Sequence, residues 1–253
     1  LILDQFRLDG KVALVTGGSR GLGLGMATAL AEAGADIISI QQTSDTQAVE
    51  KQVTRAGRRF LPLTLDVSAE MAAEDALSAA LSQFGRIDIL VNNAAVQRRA
   101  PAVDFSIEDW DTVININLRA VFRFCQVFGR QMLQQEYGKI INIASLLAVQ
   151  GGITIPAYTS SKHAVAGLTK ALCNEWAGRG VCVNAIAPGY MDTDLNVALR
   201  ANEQRDREIT GRIPAGRWGK AEDMAGAVVF LASPASDYLH GHMLVVDGGW
   251  LAR

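Results

Sequence analysis

The chain has 253 residues, a net charge of −2, 49% hydrophobic and 20% charged residues, enough for one large domain with a sizeable core or two small ones. The near-neutral balance argues against a basic nucleic-acid footprint and the apolar half against disorder, so a small-molecule partner is expected. No apolar run reaches the ~18 residues of a membrane helix, and residues 1–7 lack the basic-then-apolar layout of a signal peptide, which predicts a soluble, cytoplasmic protein without a membrane partner. Cys125, Cys173 and Cys182, odd in number and without C-x-x-C spacing, read as buried thiols and not as a disulfide framework or zinc site.

Apolar, β-rich runs at 12–15, 36–40, 60–65, 87–91, 139–143, 181–186 and 242–246 alternate with stretches of helical period around 22–33, 46–57, 70–84, 109–134, 157–178 and 221–232. That alternation predicts an α/β fold: a doubly wound, parallel, seven-stranded sheet with helices on both faces. No repeat or Pro/Ser-rich linker divides the chain, so 1–253 is expected to be a single domain. The segment at about 191–218 breaks the rhythm. It is polar, carries both charges and reads as a mobile insertion, a lid, and not as core.

Thr16-Gly17-Gly18-Ser19-Arg20-Gly21-Leu22-Gly23 follows the first strand and opens the first helix. Glycines there permit a tight turn, let the backbone approach a pyrophosphate and leave free helix N–H groups facing the anion. At the end of the second strand, where dinucleotide folds often carry an acid for the ribose 2′-OH, stand Gln41 and Gln42. No carboxylate repels a 2′-phosphate, and Arg20 is placed to attract one; Gln41 serves a plain ribose equally well. NAD and NADP both remain open.

Two apolar stripes carry polar residues. Asn117 falls among Trp110, Val113, Ile114, Val121, Phe124, Cys125 and Phe128, where a buried amide either ties the helix to a neighbour or faces a wet site. In the next long helix the stripe of Val165, Leu168, Leu172 and Trp176 runs back to Tyr158 and Lys162, one turn apart. A lysine that snorkels and a core tyrosine are the bland alternative. Ser145, Asn92-Asn93-Ala94-Ala95 and Pro188-Gly189-Tyr190-Met191-Asp192-Thr193 each end a predicted strand, so these polar groups converge at the carboxyl edge where open α/β sheets bind ligands.

Together, Thr16-Gly17-x-x-x-Gly21-x-Gly23, Asn92-Asn93-Ala94, Asn117, Ser145, Tyr158-x-x-x-Lys162, Pro188-Gly189 and Thr193 resemble the short-chain dehydrogenase/reductase family, with its Rossmann-like fold. Ala95 departs from the glycine usual there. Arg98-Arg99, Ser145–Gly152, Arg212–Gly219 and the run 247–253 are similar to the branch acting on sugar acids of the 2-deoxygluconate and 2-dehydro-3-deoxygluconate type.

The resemblance implies an NAD(P)-dependent oxidoreductase in which Tyr158 is the acid or base, Lys162 lowers its pKa, Ser145 holds the substrate oxygen and Asn117 anchors a water in a proton relay. Bringing a phenol from ~10 to near 7 takes about 4 kcal/mol, expected from Lys162 and the oxidised nicotinamide. Coenzyme contacts are expected from Gly17, Ser19, Arg20, Gly21, Leu22, Gly23, Gln41, Asp66, Val67, Asn93, Ala94, Tyr158, Lys162, Pro188, Gly189, Met191 and Thr193. For a substrate carboxylate the candidates are Arg98, Arg99, Arg212 and Arg217, with Gln150 and Tyr190 for hydroxyls. No metal is assigned, since His240 and His242 lack a third ligand. A 3-oxoacyl-thioester reductase and a dinucleotide-sensing regulator are the rivals. The family commonly forms homotetramers, with Phe122, Phe128 and Trp176 as candidate contacts.

Overall fold

A computed structural model describes residues 1–253, the side chain of Leu195 excepted. The described strands are β1 (Val12–Thr16), β2 (Asp36–Gln41), β3 (Phe60–Thr64), β4 (Ile89–Asn92), β5 (Gly138–Ile143), β6 (Val181–Pro188) and β7 (Met243–Val246). They form one seven-stranded sheet in the order β3-β2-β1-β4-β5-β6-β7, every pair parallel. The chain winds outward from β1 to β3, then returns to β4 and winds the other way. The carboxyl ends of β1 and β4 therefore diverge, opening a crevice at the switch point.

The helices are α1 (Gly21–Glu32), α2 (Gln47–Arg55), α3 (Ala72–Phe84), α4 (Ile107–Ile114), α5 (Val121–Gln134), α6 (Pro156–Trp176), α7 (Val197–Arg200), α8 (Glu203–Arg212) and α9 (Ala225–Ala232). Strand side chains alternate between faces. Leu14 and Ile38 pack with Phe124, Phe128 and Val165 in one core, while Val15 and Ile37 pack with Met26, Leu30 and Val228 in the other. Strands β1, β2, β4, β5 and β6 are buried almost throughout, whereas the edge strand β3 is half-exposed and tolerates Pro62.

Three expectations change. The helix foreseen over 109–134 is α4 and α5 joined through a π-helical turn at Asn115–Ala120, with Asn117 inside it. Phe128 is fully buried and belongs to the core, unlike Phe122, which is 41% exposed; Trp176 is half-buried. The segment 191–218 is not coreless: it folds into α7 and α8, and Ile209, Ile213 and Trp218 form a third cluster with Leu146 and Trp250. Asn202 caps α8 by accepting from the Arg205 N–H at 3.0 Å. The base of the segment is pinned where Met191 bridges to Gly219.

Candidate active site

Strand β5 and helix α6 build the reactive end. Tyr158 and Lys162 lie one turn apart on α6, 9% and 3% exposed, and Lys162 Nζ donates to the carbonyl of Ile143, the last residue of β5, at 2.6 Å. The ammonium stands 5.5 Å from the centre of the Tyr158 ring. Two residues past β5, Ser145 stands beside the Tyr158 phenol in the same cavity, and its hydroxyl accepts from the Leu147 N–H at 3.1 Å. That bond fixes its hydroxyl at the head of a short helical turn.

Asn117 is fully buried. Its Oδ1 accepts from the Val96 N–H and its Nδ2 donates to the Val96 carbonyl, both at 2.9 Å, with a further bond to Ser161 Oγ at 3.3 Å. The side-chain amide is thus spent on the loop after β4. These bonds fix Asn117 inside the π-helical turn.

A cavity of about 870 Å³ runs along the carboxyl edge from the glycine loop to α8. It gathers Gly17, Ser19, Arg20, Gly21, Leu22, Gly23, Gln41, Val67, Asn93 and Ala94 at one end. Ser145, Tyr158, Lys162, Pro188, Gly189, Met191 and Thr193 follow, then Arg99, Gln150, Tyr190 and Arg212 at the other. Four predicted residues do not line it: Asn117, Asp66, Arg98 and Arg217. Asp66 Oδ1 is taken by the Ser68 N–H and hydroxyl at 2.9 and 2.7 Å, which shapes the turn after β3. Arg98 pairs with Asp109 at 3.2 Å, and Arg217 forks onto Asp223 at 2.7 and 2.8 Å. Both guanidiniums already have a carboxylate. Trp250, Arg205 and Glu208 also line the cavity and were missed, because nothing in a linear pattern says that 205–250 folds back over the sheet edge.

This layout has counterparts. The family model described as enoyl-(acyl carrier protein) reductase matches residues 17–251. The chain is 55% identical over 250 residues to 2-dehydro-3-deoxy-D-gluconate 5-dehydrogenase of Bacillus subtilis strain 168, covering 99% of this chain and 98% of that one. It is 53% identical over 254 residues to the Escherichia coli K12 protein of the same name, with both chains covered completely. A crystal structure of gluconate 5-dehydrogenase from Burkholderia cenocepacia J2315 in complex with NADP and tartrate superposes with a TM-score of 0.95 at 40% identity, over all of both chains. The chain belongs to the short-chain dehydrogenase/reductase family.

As a member it is an NAD(P)-dependent oxidoreductase acting on CH–OH groups, and two observations test the coenzyme against this dehydrogenase's own residues. A Cβ on Gly23 would stand 1.9 Å from the Gly17 carbonyl, so the loop closes on backbone alone and keeps its N–H groups open to an anion. Gln41, 5% exposed, has its Oε1 held by Ser39 Oγ at 2.7 Å, and its Nε2 has no partner among the described residues. A buried amide donor left unpaired beside the cavity fits an acceptor oxygen of the ribose end. Arg20 is 81% exposed and pairs with Asp194 at 3.4 Å. Asn93 serves the loop from below: its Nδ2 donates to the Thr16 and Gly17 carbonyls at 3.0 and 3.1 Å.

The electrostatics of the dehydrogenase differ from the expectation. Burial pushes the Tyr158 phenol up to about 12, opposed by the Ser145 hydrogen bond and the charge of Arg99. Burial alone brings Lys162 down to about 8. Lys162 donates one of its three N–H groups to a backbone carbonyl and its ammonium stands 5.5 Å from the Tyr158 ring centre, with Arg99 as a further cation acting on the phenol. Arg99 faces Tyr158, Tyr190 and Arg205, and burial lowers its own pKa. Its Nη2 donates to Gln97 Oε1 at 3.2 Å, and no carboxylate pairs with it among the described residues.

Proposed function

We propose that the protein interconverts a secondary alcohol and a ketone on a sugar acid of the 2-dehydro-3-deoxygluconate or 2-deoxygluconate type. The observation that carries this is Arg99: a guanidinium in the cavity wall, without a carboxylate partner among the described residues, whose charge acts on the Tyr158 phenol. A bidentate, charge-assisted contact from Arg99 to the substrate carboxylate places the acid's chain against Tyr158. Arg212 lines the same end over the Trp250 ring, 4.0 Å from its centre. The names of the Bacillus and Escherichia relatives, and the tartrate in the Burkholderia structure, support a small hydroxy acid.

NAD or NADP, when bound, supplies or accepts the hydride. The backbone of 17–23 holds the pyrophosphate, Gln41 Nε2 meets the ribose end, Val67 packs on the adenine, and Thr193 with the Met191 backbone meets the carboxamide. Ser145 holds the reacting oxygen. Tyr158 gives that oxygen its proton in reduction and takes it in oxidation, while Lys162 keeps a positive charge in the dry cleft and exchanges protons with solvent through a water that Asn117 would anchor. The residues 191–218 form the lid over the substrate end.

A thioester reductase is disfavoured by the two guanidiniums at the substrate end, which match an acid and not an acyl chain. A sensor without turnover is disfavoured because tyrosine and lysine both stand in the cavity. We read the protein as a cytoplasmic homotetramer, supported by three unpaired cysteines and by apolar exposure at Val103 in the turn before α4, Ile107 at the start of α4 and Phe122 on α5. Light scattering after gel filtration tests the tetramer. Absorbance at 340 nm with 2-dehydro-3-deoxy-D-gluconate, 5-keto-D-gluconate and 2-deoxy-D-gluconate, each with both coenzymes, tests the reaction; inactivity on all three refutes the substrate class.

A further inference from the structure

After β7 the chain turns back on itself. Asp247 Oδ1 accepts from the Gly249 N–H at 2.8 Å and Oδ2 from the Leu251 N–H at 2.9 Å. Gly248 and Gly249 take φ of 63° and 89°, backbone that side chains disfavour. This turn carries Trp250 into the substrate end of the cavity, where it is 4% exposed.

Three segments distant in sequence meet on its indole. The ring N–H donates to Gln150 Oε1 at 3.2 Å, in the glycine-rich loop after β5. The Arg212 guanidinium, at the end of α8, lies over the ring at 4.0 Å, and Tyr190 packs 4.6 Å away at 54°. Arg253 reinforces the joint by donating to the Gly211 and Arg212 carbonyls, both at 3.3 Å.

We propose that Trp250 is a specificity-determining residue: it closes the substrate end of the cavity and holds Gln150 and Arg212 so that this end presents hydrogen-bond donors to a short, oxygen-rich acid. The indole bond on Oε1 orients Gln150 and leaves both of its amide N–H groups for a ligand. Arg212, stacked on the ring, keeps its N–H edge free. Donors from these two residues suit carboxylate and hydroxyl oxygens. Length is limited too, because a cavity of about 870 Å³ lies within the size of an ordinary ligand site yet takes coenzyme and substrate together. An acyl thioester would have to pass through the space the indole fills.

The proposal rests on the sugar-acid reading, and the experiment separates the two. Wild type, Trp250→Ala, Trp250→Phe and Gln150→Leu are assayed with 5-keto-D-gluconate, with the N-acetylcysteamine thioester of acetoacetate, and with a series of methyl ketones of rising chain length. Coenzyme Kd is measured by fluorescence. Trp250→Ala is expected to raise KM for the acid at least about tenfold, the loss of one well-placed anchor, with a smaller effect on kcat. Its coenzyme Kd stays as in wild type and its activity ratio of thioester to acid rises. Trp250→Phe keeps the wall and loses the N–H, so KM rises without any gain on the thioester, and Gln150→Leu matches it. Should Trp250→Ala not fold, the Phe and Leu variants decide. An unchanged KM and ratio in folded variants, or a loss confined to coenzyme binding, overturns the proposal. A wild type inactive on the acid overturns the sugar-acid reading instead, and Trp250 is then judged by whether its removal shifts the preferred ketone length.

Discussion

Asn117 holds both backbone polar groups of Val96, N–H and carbonyl, at 2.9 Å each from inside a π-helical turn. An amide is the only neutral side chain with an acceptor and a donor set to do this at once. Asn117→Asp keeps the acceptor and leaves the Val96 carbonyl unpaired; Asn117→Ala frees both groups. Each variant is expected to lose about 1–3 kcal/mol in urea unfolding, and turnover is expected to fall with it because the loop carrying Arg99 starts at Val96.

In the proposed reaction Tyr158 moves the proton, and its phenol oxygen is a small part of its contact with the cavity. Tyr158→Phe should remove turnover by at least 10²-fold, the usual worth of a positioned acid or base, with coenzyme Kd by fluorescence titration left within a few-fold. Turnover surviving in that variant would remove Tyr158 from its assigned role.

The buried lysine gives stability a pH dependence whose sign is fixed. Lys162 titrates at about 8 in the folded protein against an ordinary 10.5, so between those values the unfolded chain binds more protons and stability rises with pH. Tyr158, raised from 10 to about 12, works the other way above pH 10, where the folded protein holds the extra proton. Urea midpoints of wild type and Lys162→Met, compared from pH 7.5 to 10, should show the difference between them narrowing or reversing in favour of wild type as pH rises. A difference flat across that window would contradict the assignment.

Among the arginines, structure separates ligand groups from struts. Arg99→Ala is expected to raise KM for a sugar acid about 10–100-fold, the loss of a charge-assisted hydrogen-bonded pair. Arg217 is 55% exposed and forked onto Asp223, whose carboxyl it holds down to about 2. Arg217→Ala should therefore cost little stability, as exposed ion pairs do, and leave KM unchanged. Steady-state kinetics with thermal melts distinguishes the two.

Gln41 is neutral, and a charge in its place is expected to choose between the coenzymes. Gln41→Asp replaces the unpaired amide donor with a carboxylate, repelling a 2′-phosphate while still accepting from a 2′-OH. Calorimetric titration should show NADP binding weakened at least about tenfold and NAD binding retained; equal losses for both would mean that Gln41 does not face the ribose.

The sequence by itself determined the strand-helix alternation, the glycine loop and the pairing of Tyr158 with Lys162, because each is written in local spacing: period two or three to four, and a turn that only small residues permit. The polar residues inside apolar stripes were legible for the same reason, since a burial pattern marks them as exceptions. Tertiary structure alone decided what those groups are bonded to. Asn117 ties its amide to Val96, Lys162 donates to Ile143 while standing 5.5 Å from the Tyr158 ring centre, and Arg98 and Arg217, candidates for a substrate carboxylate, are paired with Asp109 and Asp223. Hydrogen bonds and ion pairs form between segments that meet only when the sheet is assembled, and no periodicity records them. Trp250 is the extreme case: it lies about a hundred residues from Gln150 and touches it because a two-glycine turn folds the chain after β7 back over the carboxyl edge of the sheet.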